Sequence, residues 1–476
     1  MRSGNRSSSP YAIEFAAACA TVADSANTAA TIAVEPARIA DVALVLVTDA
    51  RLSKTAAGAT TRSAVRPQGR GASNATSPIA HAAHKNTAAT RAGLLDQLAS
   101  ASPSAPPADT GSNTHARRAN HNDGNAFLAS FDGRPASYPT RLMPDKVLVP
   151  GIATAVGSLP HHDAAAAAAL VLRCLPELPA APELPMRTPL EGVVAQWARA
   201  IDGIDVAADG TLAQVSKLDG RAEIDATFDR DAHDGLLTFL DVAAAQPVPP
   251  RRVKVQCAGP LTLGVALVEI GIEPDVAFRL GARTARAWGR ALEALVGSRL
   301  PNAAILVCFD EPALVRWQAG TAPLDRETAT DILSTALAAP ACLTAVHVCG
   351  PGDLRLALAA GPRLVHFDIG ALDLDDAVSL SRFLEGGGWV MWGTIPTHRP
   401  VGEHAAPLWK GLLGTWCELT RRGCDPSRLR SQALIAPACG LAGHGASQAE
   451  RAMMLAREIG GYVHDHAAAT KLAVGA

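Results

Sequence analysis

The pattern of hydrophobic and polar positions divides this 476-residue chain into two unequal parts. Residues 1–142 are dominated by Ala, Ser, Thr, Asn, Arg and Pro, and only Ile39–Val47 and Thr87–Ala99 have the pattern of a strand and a short helix. A segment so poor in large apolar side chains cannot offset the conformational entropy that it loses on ordering. We therefore expect residues 1–142 to be disordered, or to be a misassigned extension of a protein whose translation starts at Met143.

From Val147 onward, short β-branched runs alternate with Ala- and Leu-rich stretches of helical periodicity. The predicted strands are Ala153–Gly157, Val253–Cys257, Ala304–Phe309, Leu343–Val348, Leu364–Phe367, Trp389–Trp392 and Ala433–Ala436, with an eighth near Pro182–Pro185. The predicted helices include Asp275–Val296, Asp325–Leu337 and Ser447–Ile459, and the predicted inserted hairpin joins Thr211–Val215 to Ala222–Phe228. This alternation over residues 147–470 predicts an α/β fold, a (β/α)₈ TIM barrel. A doubly wound open sheet is the alternative, although no G-x-G-x-x-G follows the first strand.

Charge and cysteine content narrow the function classes. The chain has 43 basic and 45 acidic side chains and no domain-sized basic segment, so we expect no nucleic-acid partner. The sequence contains no run of about 18 apolar residues without charges, so we expect no membrane span. Nine cysteines, an odd number without the regular spacing of a secreted disulfide scaffold, predict a reducing, cytoplasmic location in which thiols are free to bind a metal.

Polar residues of unusual kinds follow six of the predicted strands. They occur in the segments Gly157–Asp163, Asp310–Pro312, His347–Gly350, His366–Asp368, Gly393–His398 and Pro437–Gly440. In a (β/α)₈ barrel the carboxyl ends of all strands lie on one rim, which is where active sites are built. We therefore expect these Ser, Asp, Glu, His and Cys residues to belong to one site.

His347 and Cys349 are candidates for a metal site. Residues i and i+2 of a strand point to the same side, so one imidazole and one thiolate can bind the same ion. Cys439 would add a second sulfur and Asp368 a further donor, which gives a ligand set suited to Zn²⁺. An isolated H-x-C is weak evidence, because buried Cys and His are often core residues. The combination with Cys439 favours the metal.

Two further pairs each allow a structural or a functional interpretation. Asp310 and Glu311 before a proline fit a helix N-terminus, where carboxylates complement the helix dipole, or a site for a substrate ammonium group. Gly157 and Ser158 fit an ordinary turn with a cap, or a set of backbone N–H groups that binds a carboxylate. An ammonium site, a carboxylate site and a thiophilic metal on one rim would suit an amino acid that bears a thiol.

The motifs VGSLP, FDEPAL, HVCG and PACGL, in this order at the strand ends, resemble the catalytic barrel of cobalamin-independent methionine synthase, within the uroporphyrinogen decarboxylase-like superfamily. The similarity covers residues from Ile152 to Val463. A shorter, single-barrel, methionine-synthase-like group is more similar still. Its members share GSLPH, a P-x-L-P-x-R segment (Pro182–Arg187 here), a W-G-x-x-P-T run and a terminal P-x-C-G.

The resemblance implies roles for seven residues. The implied zinc ligands are His347, Cys349, Cys439 and, nearest the place where the full-length synthases have a Glu, Asp368. The implied substrate-binding residues are Ser158 for the homocysteine carboxylate, Asp310 for its amino group and Glu183 as a second acid for that amino group.

Two departures from the full-length synthases bear on the methyl donor. Those enzymes use an additional N-terminal barrel in binding polyglutamated folate, and residues 1–142 are too short and too polar to form one. Their acid for the leaving folate nitrogen is a His in a D-I-H-S-P run. Here Pro396 stands at that position, and His398 follows two residues later. Either His398 is the catalytic acid, or the donor is a methyl-corrinoid that leaves without a proton.

The sequence thus predicts a zinc-dependent S-methyltransferase that activates homocysteine, or a similar small thiol, as a thiolate and forms methionine. The predicted donor is a methyl-folate or a methyl-corrinoid, the latter carried by a protein partner. Two alternatives stay open. One is a zinc- or thiol-binding barrel without turnover, and the other is a uroporphyrinogen decarboxylase-like enzyme, although no Arg-rich tetrapyrrole-binding segment follows Val156.

Overall fold

The structure, a computed structural model, describes residues 147–474, so the expectations for residues 1–142 lie outside the described residues. The strands are β1 (Ile204–Val206), β2 (Leu212–Gln214), β3 (Arg252–Ala258), β4 (Ala304–Asp310), β5 (Leu343–Val348), β6 (Leu364–Asp368), β7 (Trp389–Ile395) and β8 (Ala433–Pro437). The α-helices are α1 (Ala164–Cys174), α2 (Ala195–Ala198), α3 (Arg230–Ala244), α4 (Pro260–Glu269), α5 (Pro274–Arg299), α6 (Leu314–Gln318), α7 (Arg326–Leu337), α8 (Leu354–Ala359), α9 (Ala377–Glu385), α10 (Ala405–Arg421), α11 (Pro426–Ser431) and α12 (Ala446–Val474).

Six strands form one parallel sheet in the order β3-β4-β5-β6-β7-β8. Each strand pairs with the next one along the chain, and helices lie in every connection between them. Parallel neighbours require such crossovers, and the crossovers leave the carboxyl ends of all six strands on the same edge. The prediction of an α/β fold with a parallel sheet is therefore confirmed, and the six strands coincide with six of the predicted ones.

The predicted strands Ala153–Gly157 and Pro182–Pro185 are not strands in the structure, so the expectation of a complete eight-stranded barrel is not met. The segments around Ala153 and Ala180 are not strands, but each makes an isolated parallel bridge to an edge of the sheet, Ala153 to Ile435 and Ala180 to Lys254. The sheet is thus a curled half barrel of six strands. The physical reason lies in the two segments: Gly151 and Gly157 have φ of 84° and 133°, and Pro179, Pro182 and Pro185 lack the N–H that a ladder needs.

The predicted inserted hairpin has a different partner strand. β2 pairs with β1, not with Ala222–Phe228, which contributes only the isolated bridge between Ile224 and Ile201. The turn explains the choice, because Asp209-Gly210 closes the short loop between β1 and β2, and Gly210 has φ of 82°. An Asp-Gly pair of this kind favours a tight hairpin, and it precedes the strand instead of following it.

Two apolar layers hold the sheet and decide which end of it is open. The larger layer lies between the strands and the surrounding helices. The smaller one fills the inner side near the amino ends of the strands and contains Ile152, Leu306, Leu343, Leu364 and Leu434. Because this floor is closed by apolar side chains, the polar strand ends are left at the opposite edge. No helix among residues 147–474 is long and apolar enough to cross a membrane.

Candidate active site

His347, Cys349 and Cys439 meet at the carboxyl edge of the sheet. His347 lies near the end of β5, Cys349 directly follows that strand, and Cys439 lies two residues beyond β8. The ligand atoms of the three side chains all lie within 4.8 Å of one another. The Sγ of Cys439 is 3.6 Å from Nε2 of His347 and 3.8 Å from Sγ of Cys349. The alternation of a strand and the parallel order of the sheet together place these three residues in one cluster.

The spacing of these atoms fits a tetrahedral zinc ion. Zn–S bonds of about 2.3 Å and Zn–N bonds of about 2.0–2.1 Å at tetrahedral angles place two sulfurs about 3.8 Å apart and a sulfur and a nitrogen about 3.6 Å apart. The distances between Cys439 and its two neighbours have the same values. Two thiols and one imidazole are also the donor types that zinc prefers. The residues present therefore fit a zinc ion with three protein ligands.

Burial keeps the imidazole in the form that a metal needs. His347 is 1 % exposed and stacks on His366, with ring centroids 4.3 Å apart and an interplanar angle of 23°. Burial and the neighbouring His366 hold the pKa of His347 well below its usual value, so its nitrogens stay available as ligands. Burial likewise lowers the pKa of His366 to about 3, and its Nε2 lies 3.0 Å from the carbonyl oxygen of Pro437, two residues before Cys439.

Cys349 and Cys439 shift each other's pKa in opposite directions. Their hydrogen bond and their burial raise the pKa of Cys349 well above its usual value, whereas the same hydrogen bond lowers the pKa of Cys439. Both thiols would bind a thiophilic cation as thiolates, because metal binding displaces the thiol proton.

Asp368 and His398 do not belong to this cluster. The Oδ1 of Asp368 accepts a hydrogen bond from the backbone N–H of Gly370 at 2.8 Å and begins the short 3₁₀ turn Ile369–Ala371. Its carboxylate is not among the atoms within 4.8 Å of one another in the three-residue group. His398 lies in the loop that follows β7 and is exposed. Both residues stand on the expected edge of the sheet, and their assignments as metal ligand and catalytic acid stay predictions.

Ser158 and Glu183 are neighbours on that edge. They form an isolated parallel bridge, and the hydroxyl of Ser158 donates to Oε2 of Glu183 at 3.4 Å. The amide of Gln196 donates to the other carboxylate oxygen at 2.7 Å. Ser158 also lies close to the loop that carries Cys439, because a Cβ added to Gly440 would lie 3.0 Å from the Cβ of Ser158. The close approach to Gly440 joins the predicted substrate residues to the loop that carries Cys439.

Asp310 is a second buried carboxyl, at the end of β4 next to β5. Burial raises the pKa values of both Asp310 and Glu183. Repulsion from the carboxylate of Asp310 raises the pKa of Glu183 further. The ammonium group of Lys254, buried in the same interior, acts in the opposite direction on both. Two carboxyl groups whose ionised forms are disfavoured in this way would be stabilised as carboxylates by an incoming cation.

Of the adjacent acidic residues Asp310 and Glu311, Glu311 is the one with a structural role. Its two oxygens accept hydrogen bonds from the backbone N–H groups of Leu261 and Thr262 at 2.9 and 2.8 Å and from the hydroxyl of Thr262 at 2.6 Å. These N–H groups belong to the first turn of α4, where no side-chain cap from Gly259 is available. Glu311, directly after β4, therefore caps α4. Asp310 accepts only a long hydrogen bond, 3.8 Å from the Sγ of Cys308, and is the member of the pair that remains as a candidate for the site.

Several polar residues of this interior were not predicted from the sequence. They are Lys254, Gln256 and Gln196, all at most 3 % exposed. For two of them a signal was present: Lys254 and Gln256 alternate with Val253, Val255 and Cys257 in a strand that is otherwise apolar. Polar side chains with a period of two on a buried strand point to the inside of a barrel. A cavity of about 290 Å³ lined by Gly151, Cys174 and Arg457, among others, contains none of the site residues.

Comparisons with known proteins add little to this site. No protein-family profile and no curated protein matches the sequence. Among solved structures, the chain is similar to a B12-independent methionine synthase from a Shewanella species in complex with selenomethionine, with 12 % identity, a TM-score of 0.48, and coverage of 67 % of this chain and 99 % of that one. It also matches the carboxyl transferase domain of pyruvate carboxylase from Rhizobium etli, with 13 % identity, a TM-score of 0.19, and coverage of 45 % and 41 %. Function has to be inferred from the geometry of the site and from the sequence motifs.

Proposed function

We propose that this chain is a zinc-dependent S-methyltransferase that acts on homocysteine or a similar amino acid bearing a thiol. The observation that carries the proposal is the grouping of His347, Cys349 and Cys439 within 4.8 Å, in which both distances from Cys439 match the edges of a zinc tetrahedron. Catalytic zinc sites have three protein ligands and an open position, whereas structural sites have four. In this proposal the bridged segments around Ala153 and Ala180 complete a (β/α)₈ barrel around the site.

The mechanism follows from what each group can hold. A bound zinc ion supplies one property: it keeps a substrate thiol, whose free pKa is about 8.5, in the thiolate form at neutral pH. Asp310 and Glu183 bind the substrate ammonium group, and the turn at Ser158 binds its carboxylate. The cation removes the repulsion between the two buried carboxyls, so binding ionises both. Fixing both ends of a small amino acid aligns its sulfur for in-line attack on a methyl group.

The methyl donor approaches from the open edge of the sheet. His398, on the exposed loop after β7, would protonate the leaving nitrogen of a methyl-folate, and a methyl-corrinoid would need no such acid. The full-length chain should be assayed with homocysteine and each of methyl-folate, methylcobalamin and S-methylmethionine. Formation of methionine from one of them is the expected result, and absence of transfer from all three would contradict the proposed turnover.

Metal analysis and a thiol titration separate this enzyme from a zinc-holding barrel without turnover. Purified full-length chain should contain zinc, and the cobalt-substituted protein should change its sulfur-to-metal absorption bands when homocysteine is added. A closed structural site has no open position, so its spectrum would stay unchanged. That unchanged spectrum, in a protein that holds cobalt, would overturn the proposed role of the metal.

A further inference from the structure

Lys254 is the one lysine or arginine in the described part of the chain that is buried, at 1 % exposure. It lies in β3 and points into the interior of the half barrel instead of into solvent. Taking an ammonium group out of water costs several kcal/mol unless other groups compensate for it. A buried lysine of this kind therefore needs a physical explanation, and the proposed reaction does not use it.

The contacts of Lys254 reach the two segments that pair with the edges of the sheet only at isolated bridges. Its Nζ donates to the carbonyl oxygen of Val156 at 2.8 Å and to Oε1 of Gln256 at 3.0 Å. The Nε2 of Gln256 in turn donates to the carbonyl oxygen of Ala181 at 3.0 Å. Lys254 and Gln256 thus connect one segment to the other through β3. We call these two residues the Lys-Gln clamp.

The position of the clamp relates it to the substrate residues. Val156 stands two residues before Ser158, and Ala181 stands two residues before Glu183. Neither segment belongs to the ladder of the six-strand sheet. Backbone hydrogen bonds at isolated bridges join each segment to an edge strand and join the two segments to each other at Ser158 and Glu183, and the clamp adds side-chain contacts just before both residues. Gly157 allows the close approach, because a Cβ at that residue would lie 1.7 Å from Nε2 of Gln256.

We infer that Lys254 and Gln256 are positioning residues that hold Ser158 and Glu183 in register and thereby set the recognition of the amino-acid end of the substrate. The inference rests on the proposed function. In the described part of the chain, no hydrogen bond joins the clamp to His347 or to the two cysteines, but the charge of Lys254 acts on His347. Gln256→Asn changes the clamp without changing this charge, so it should leave metal affinity unchanged. Loss of the clamp should selectively weaken recognition of the amino and carboxylate groups.

The test compares three thiols on the cobalt-substituted full-length chain: homocysteine, its analogue without the amino group and its analogue without the carboxylate. The variants are Lys254→Met, which keeps the length of the side chain but has no donor, and Gln256→Asn, which shortens the second member. The preference of the unsubstituted chain for homocysteine should fall about tenfold or more in each variant, the scale of a hydrogen bond to a charged group. Each analogue keeps one of the two groups that Ser158 and Glu183 bind, so its affinity should fall less than the affinity for homocysteine does. The cobalt content per chain should be the same in the unsubstituted chain and in both variants.

Lys410→Met is the matched control, since it removes an exposed ammonium group from α10, a helix that packs against β7 and α12. An unchanged preference for homocysteine in both variants would overturn the inference, as would an equal loss of affinity for all three thiols, which is what a merely structural role predicts. If Lys254→Met does not fold, Gln256→Asn alone decides between these results. Absence of thiol binding by the unsubstituted, cobalt-loaded chain would overturn the proposed function itself and the inference with it, and this result differs from the preceding ones.

Discussion

Replacing Cys439 by Ser perturbs the candidate metal centre at its most connected atom. Its sulfur makes both of the short contacts in the group, 3.6 Å to His347 and 3.8 Å to Cys349. Zinc binding to small protein sites contributes about 10–16 kcal/mol, which amounts to roughly 3–4 kcal/mol for each of three or four ligands. Removal of one ligand should therefore weaken zinc binding by a factor on the order of several hundred.

The assay is zinc content per chain after equilibration with a competing chelator, followed by a cobalt titration to measure the affinity. Cys342→Ser is the matched control. Cys342 directly precedes β5, the strand that Cys349 follows, and it is half-buried, as Cys349 and Cys439 are. The control should retain zinc as the unsubstituted chain does. Equal zinc affinity in Cys439→Ser and Cys342→Ser would show that Cys439 is not a ligand, and the reasoning from spacing would be wrong.

Two further predictions concern stability. Gly157→Ala places a Cβ 1.7 Å from Gln256 at a φ of 133°, so the variant should lose about 1–3 kcal/mol of folding free energy and bind homocysteine more weakly; an unchanged melting temperature would count against this contact. Burial raises the pKa of Glu311 from 4.5 to about 7, and because the ionised form is the one disfavoured in the folded state, stability should fall as pH rises through this interval, by on the order of 3 kcal/mol. In Glu311→Gln that part of the slope should vanish in urea unfolding of the metal-free chain at about pH 5 to 7.5, and an identical slope in both proteins would refute the assignment.

The strands that the sequence predicted well are those whose apolar runs are complete. Leu343–Val348 has the predicted bounds, and Ala304–Phe309 is extended by a single residue. These strands are buried on both faces, so each reads as a continuous apolar run whatever its neighbours are. The segments around Ala153 and Ala180 were harder to predict, because their glycines and prolines allow contact with the sheet without a ladder.

The acidic pair shows the limit of local sequence in the site. Asp310 and Glu311 are adjacent and chemically alike, and either could have faced the substrate. Only the position of α4 decides that Glu311 is used as its cap, since the N–H groups of Leu261 and Thr262 lie about 50 positions away along the chain. Successive side chains at the end of a strand point in opposite directions, and the surroundings on each side then determine the role.

By itself the amino-acid sequence determined the parallel α/β pattern and the edge of the sheet at which chemistry is concentrated. Both follow from local rules: apolar runs form buried strands, and parallel strands share the edge on which they end. The convergence of His347, Cys349 and Cys439 to zinc-like distances, and the clamp of Lys254 and Gln256, were decided only by the tertiary structure. Their atoms come from segments that are far apart along the chain, and no local pattern fixes how closely the curled sheet brings them together.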